Sequence, residues 1–189
     1  MTEPTDRNAS TTIPEAHAAA IGRIANAWAV LEFEIDLAIW DLSGTFQMLA
    51  ACMTAQLMSI HPRLKALHAL IEAQNLGTRL SKEVATFAGD ISSLVEKRNR
   101  AVHDPRMTVA ADGSVERLEV TAQKILSFGF QPEPLERLSK TEETIKARIA
   151  RFRVIKGKIR KALIERPAEQ TPQFRKIIQV PLDREDPTS

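Results

Sequence analysis

Cysteine occurs once, at Cys52, tyrosine is absent, and aromatic residues make up 5% of the 189-residue chain. A single cysteine excludes an intrachain disulfide, so nothing here asks for an oxidising compartment. It lies in Leu49-Ala50-Ala51-Cys52-Met53, which reads as a small buried apolar position, with no general base beside it in sequence. Glycine is scarce, at seven residues, which speaks against an all-β fold with many tight turns. Charges interrupt every apolar run before the roughly 18 residues a membrane span needs, so no membrane contact is expected. The opening MTEPTDRNASTTIP lacks the basic start and apolar stretch of a signal peptide, and a cytoplasmic location is expected. A glycine-rich phosphate loop is missing too. Ala20-Ile21-Gly22-Arg23 has no second glycine near it, which excludes nucleotide binding of the P-loop or Rossmann kind. His17, His61, His68 and Cys52 show no ligand spacing, so neither a metal nor a cofactor is expected.

What is present suits a helical domain. The hydrophobic fraction of 43% can supply a core. Ile21, Ile24, Trp28, Leu31, Ile35, Ile39 and Leu42 recur at three and four, predicting a first helix from Pro14 to Leu42. A second is expected over 45–58, a third over 62–74 after the punctuation of His61-Pro62, and a fourth from near Ser81 to His103, ended by Pro105. Asp112-Gly113 between Met107-Thr108-Val109 and Leu118-Glu119-Val120-Thr121 predicts a two-stranded hairpin over 107–122. Phe128–Pro134 reads as a loop. Leu138, Ile145, Ile149, Phe152, Ile155, Ile159 and Leu163 place a last helix over 135–164. The fold class expected is all-α: an antiparallel bundle of about five helices with a small β-hairpin between the last two. Residues 1–12 read as a disordered leader, 13–166 as the domain, and 167–189 as a mobile or partner-bound tail. Helix 1 also carries a second apolar line, Ala29, Phe33, Leu37 and Trp40, which we read as core or, slightly preferred, a dimer surface.

The stretch that carries chemistry is Glu96-Lys97-Arg98-Asn99-Arg100-Ala101-Val102-His103-Asp104-Pro105. Arg98 falls in the apolar stripe of its helix, where a guanidinium is costly unless it is paired, snorkels out at the end of the bundle or faces a ligand. Asn99 and His103 are four apart and share a face that Arg98 can reach. A histidine in the last turn is placed to be cationic and to move protons, and Asp104 beside it could add to that. Arginine, asparagine and histidine together suit phosphate chemistry without a metal, because arginine can hold a phosphate and the RNA 2′-hydroxyl can serve as nucleophile.

The run Arg98-Asn99-Arg100-Ala101-Val102-His103 resembles the R-x4-6-H motif of the HEPN superfamily, with a polar residue directly after the arginine. Trp28-Ala29-Val30-Leu31-Glu32 also resembles helix 1 of many bacterial members. The resemblance spans about residues 13–165, though its sharp part is the motif. It implies a metal-independent endoribonuclease, often a toxin or phage-defence effector, that dimerises so that two motifs share a cleft. Arg98 would stabilise the scissile phosphate, Asn99 would position it, and His103 would act in proton transfer. An antitoxin or other partner protein is a further possibility that the resemblance raises. The hairpin and the long basic helix depart from toxin–antitoxin relatives. The alternative is a non-catalytic module that uses the same groove to bind a nucleotide, RNA or partner protein.

Two more features bear on function. Glu32 reads either as an ordinary charge beside the core or as a counter-ion orienting Arg98. The net charge of +2 hides a net −4 over residues 1–134 and a net +7 over 135–166. Arg148, Arg151, Lys156 and Arg160, with Arg153, Lys158 and Lys161, form either a solvated face or an electrostatic track for RNA phosphates. In the second case the chain could also be a helical DNA- or RNA-binding regulator.

Overall fold

The computed structural model describes residues 9–109, 112–122 and 126–166. Among them are five α-helices: α1 (Glu15–Ser43), α2 (Gln47–Thr54), α3 (Ile60–Ala73), α4 (Thr78–His103) and α5 (Leu135–Glu165). Four strands complete the described chain: β1 (Ala9–Ser10) before α1, then β2 (Arg106–Val109), β3 (Val115–Ala122) and β4 (Leu126–Pro132) between α4 and α5.

Helix α1 lies at the centre. Its residues Ile24, Leu31, Ile35 and Leu42 are fully buried with Leu67 and Ile71 of α3, Phe87 and Ile91 of α4, and Ile145, Phe152, Ile155 and Ile159 of α5. The Phe87 and Phe152 rings meet with centroids 5.2 Å apart, within the range in which aromatic pairs add to the area they bury. These residues stand at three- and four-residue spacings, so each helix turns one continuous stripe inward. Gly44 stops α1 in the left-handed region at φ 61°, where a side chain would be strained. The Gln74 amide donates to the Leu42 carbonyl at 2.8 Å and satisfies one of the acceptors that every helix end leaves open.

Several expectations need correction. The excursion after α4 is a three-stranded antiparallel sheet, β2-β3-β4, with β1 paired to the free edge of β2. Asp112-Gly113 turns β2 into β3, with Gly113 at φ 70° and Asp112 Oδ1 accepting from the Ser114 N–H. The segment read as a loop from Phe128 to Pro134 is instead largely β4, pairing Phe128 with Val120 and Gln131 with Arg117. Its phenylalanines alternate with Gly129 too briefly to announce a strand. Helix α3 starts at Ile60, two residues before the expected start at Pro62, which leaves Pro62 in the first turn, where a missing N–H costs nothing. Ala9–Ser10, expected within a disordered leader, pairs as a strand with Val109 and Thr108. The expectations for residues 1–8 and for the tail 167–189 lie outside the described residues. Cys52 is exposed, because α2 buries only Ala50 and Thr54. No described helix is long and apolar enough to cross a membrane.

Candidate functional site

The last turns of α4 bring Arg98, Asn99 and His103 together. Arg98 Nη1 donates to Asn99 Oδ1 at 2.9 Å and lies 3.4 Å from His103 Nε2. Asn99 and His103 are exposed, whereas Arg98 is half-buried. Its guanidinium carbon stands 5.7 Å from the centre of the Trp28 ring, a cation–π arrangement. Among the described residues the Nε–H of Arg98 is buried without an acceptor, and no carboxylate pairs with the guanidinium. Asn99 and His103 line a shallow groove of about 430 Å³ with Val95, Glu96, Arg100, Asp104 and Val120, and Arg98, which does not line it, reaches them from the Trp28 side.

Trp28 is the residue whose part in this site was not foreseen. The sequence placed it in the core stripe of α1, and its ring is indeed buried. The same ring forms the surface on which Arg98 rests, and its Nε1–H donates to Glu32 Oε1 at 3.1 Å. Glu32 therefore does not pair with Arg98. It holds the tryptophan, which in turn carries the arginine. The four-residue step from Trp28 to Glu32 was the available signal, but no rule of sequence joins Trp28 to a helix 70 residues away.

Asp104 also has a different role from the one expected. Its carboxylate pairs with Arg117 of β3, not with His103. Arg117 goes on to Glu119 at 2.9 Å and Glu133 at 3.0 Å. Arg106 donates to the backbone carbonyls of Asp104 and Arg100 at 2.9 and 3.2 Å, capping the open C-terminal acceptors of α4. Burial holds the Arg106 guanidinium below its usual pKa, and the Glu133 carboxylate opposes that shift. Arg106, Arg117 and Glu133 are nearly inaccessible, with 4%, 6% and 3% of their side chains exposed, so removal of one would strand the others in a poorly solvated place. The network ties the end of α4 to the sheet immediately after His103.

The basic face of α5 is not a free track. Arg148 and Arg151 face Asp90 of α4, the first at 3.9 Å. Lys156 pairs with Glu34 of α1, joined there by Arg153 at 2.6 Å. Arg160 meets Asp41 at 2.6 Å, and Lys158 meets Glu83 at 2.6 Å. The four residues expected to bind RNA thus hold α5 to α1 and α4. The acidic surplus of the first 134 residues and the basic surplus of α5 answer one another across the bundle.

The other histidines are held separately. His17 Nε2 lies 3.1 Å from the Glu133 carbonyl, His61 Nε2 lies 3.3 Å from Ser92 Oγ, and His68 Nε2 lies 2.9 Å from Ser81 Oγ. Among the described residues no three His, Cys, Asp or Glu side chains converge as a metal site would require. Compared with protein-family models, with curated proteins and with solved structures, the chain gives no match.

Proposed function

We propose that this chain is a metal-independent endoribonuclease of HEPN type, acting as a homodimer on RNA through Arg98, Asn99 and His103, in the manner of a toxin or defence effector. The observation that carries this reading is the arrangement of Arg98. Its guanidinium touches both other motif residues yet, among the described residues, has no carboxylate partner and keeps one buried N–H unpaired. A phosphate oxygen held by Asn99 and His103 would lie beside Arg98 Nη1, the part of the guanidinium that meets those two residues.

The chemistry needs no nucleophile from the protein. An imidazole takes the proton of the RNA 2′-hydroxyl, and the 2′-oxygen forms a bond to phosphorus. The bond from phosphorus to the 5′-oxygen breaks, and an imidazolium gives that oxygen its proton. The products are a 2′,3′-cyclic phosphate and a 5′-hydroxyl. Arg98 stabilises the negative charge that develops on the non-bridging oxygens, and the Asn99 amide orients them. Base and acid are two roles, and each chain supplies one motif histidine, so a dimer would bring the second His103 to the same phosphate.

RNA cleavage in the presence of EDTA tests this. The wild-type chain is expected to cut, and His103→Ala and Arg98→Ala are each expected to lose activity by about 10²–10⁴-fold. Intact RNA at micromolar protein across several substrates would overturn it. One observation favours a second reading, a non-catalytic module that binds a nucleotide, RNA or partner protein: Arg98 is already stacked on Trp28 and bonded within its own helix. Binding without cleavage, abolished by Arg98→Ala, would identify that case.

A further inference from the structure

Cations without a carboxylate partner gather at one place besides the motif of Arg98. Among the described residues Lys97, Arg137 and Lys140 have none, and all three line one cleft of about 380 Å³. It lies between the last turns of α4, strand β3 and the first turns of α5. Its charged lining is Lys97, Arg100, Arg117, Arg137 and Lys140 against the single carboxylate of Glu133. Arg100 and Arg117 are fixed in place by Glu96, Glu119 and Asp104, so they form a rigid wall. Lys97, Arg137 and Lys140 carry the unanswered charge.

The rest of the lining fits the same ligand. Ala101 and Leu138, both nearly inaccessible, contribute an apolar floor. Thr141 and Thr144 spend their hydroxyl hydrogens on the carbonyls of Arg137 and Lys140, so the donors left to a ligand are cationic. Arg137 and Lys140 stand three apart on one face of the first turns of α5, where the helix dipole adds to an anion's attraction. No aromatic ring lines the cleft, so base stacking has no platform. The volume lies within the range of small-ligand sites.

We propose that this cleft binds a phosphate-bearing anion, held by Lys97, Arg137 and Lys140 against the wall of Arg100 and Arg117. Helix α4 turns Lys97 and Ala101 away from Asn99 and His103, so the cleft and the motif groove open on different sides of the helix, with Arg100 bordering both. Binding here does not depend on the ribonuclease reading. The phosphate can belong to a free nucleotide or to an RNA backbone, and the two are separable by competition.

The test is calorimetric titration of the full chain with pyrophosphate, ATP and a short RNA, each at low and high salt. Wild type is expected to bind pyrophosphate or ATP, more weakly at high salt. The Lys97→Ala/Lys140→Ala variant is expected to bind at least about tenfold more weakly, a loss of about 1.4 kcal/mol. Lys140→Glu should do the same alone, and His103→Ala should leave the pyrophosphate titration unchanged. Among the described residues these lysines join no ion pair, so the variants should melt like wild type. Displacement of pyrophosphate by RNA assigns the phosphate to the RNA backbone, and its absence assigns it to a free nucleotide. No binding of any probe at millimolar concentration, or undiminished binding by the double variant, overturns the proposal.

Discussion

Arg98 sits at a core-facing position of α4, and three contacts explain how a guanidinium is tolerated there. The guanidinium carbon lies over the Trp28 ring, Asn99 takes one N–H, and His103 lies at the edge of hydrogen-bond range. One N–H stays buried and unpaired, which costs about 1–3 kcal/mol without a ligand. Lysine would keep the charge but not the planar fork, so Arg98→Lys is expected to lose most of the activity that Arg98→Ala loses. Trp28→Phe separates two functions of the indole. It keeps an aromatic face for Arg98 and removes the bond to Glu32. Cleavage by Trp28→Phe is therefore expected to stay within about tenfold of wild type, whereas Trp28→Ala should both cut poorly and destabilise the fold by about 3 kcal/mol. Equal cleavage by all three chains would show that the indole does not position Arg98. The motif itself was legible, because i to i+4 spacing places Asn99 and His103 on one face. The tryptophan beneath it was not, because that contact joins two helices.

At the scale of elements, α5 is held by charge as well as by its apolar stripe. Burial raises the Glu34 carboxyl, but hydrogen bonds from Lys156 and Arg153 outweigh that and hold it below its usual pKa of 4.5. Hydrogen bonds from Lys146 and then Arg23 lower the Glu142 carboxyl in the same direction. A carboxyl whose pKa is lower folded than unfolded binds fewer protons in the native state. Its contribution is present above the unfolded pKa and is lost as pH falls through the folded one. Asp36 has the opposite sign: burial raises it, and the bond from Arg63 only partly compensates. Thermal melts are thus expected to fall as pH drops below about 4.5, and Glu34→Gln should flatten that fall while lowering stability at neutral pH. Glu34→Ala leaves Lys156, which is 13% exposed, without its partner, and should cost about 3 kcal/mol at neutral pH. Melting curves of wild type and Glu34→Gln with the same pH slope would contradict the assignment. The periodicity of α5 announced its buried face, but periodicity says nothing of what a cation opposes. Lys156 meets a residue 122 positions earlier, so a paired face and a free one read alike.

For the molecule as a whole, the second apolar line of α1 is only partly covered. Ala29 and Phe33 are exposed, while Leu37 and Trp40 are half-buried. Phe33 packs edge-on against Trp40, which donates to Thr54 of α2. Exposed Met48, Leu49 and Met53 extend the apolar surface along that helix. If the homodimer proposed above uses this surface, sedimentation should show two chains at micromolar concentration and one chain for Phe33→Glu. A wild-type monomer would remove the dimer from the mechanism.

The helices, their inward stripes and the triplet of Arg98, Asn99 and His103 follow from the sequence alone, because each depends on neighbours three or four residues apart. Other features were decided only by tertiary packing. They are the third strand, the commitment of Asp104 to Arg117, the neutralised face of α5 and the cleft of Lys97, Arg137 and Lys140. The reason is physical: a charge is defined by what stands opposite it, and here the opposing groups lie on other elements, brought near only when the bundle closes around α1.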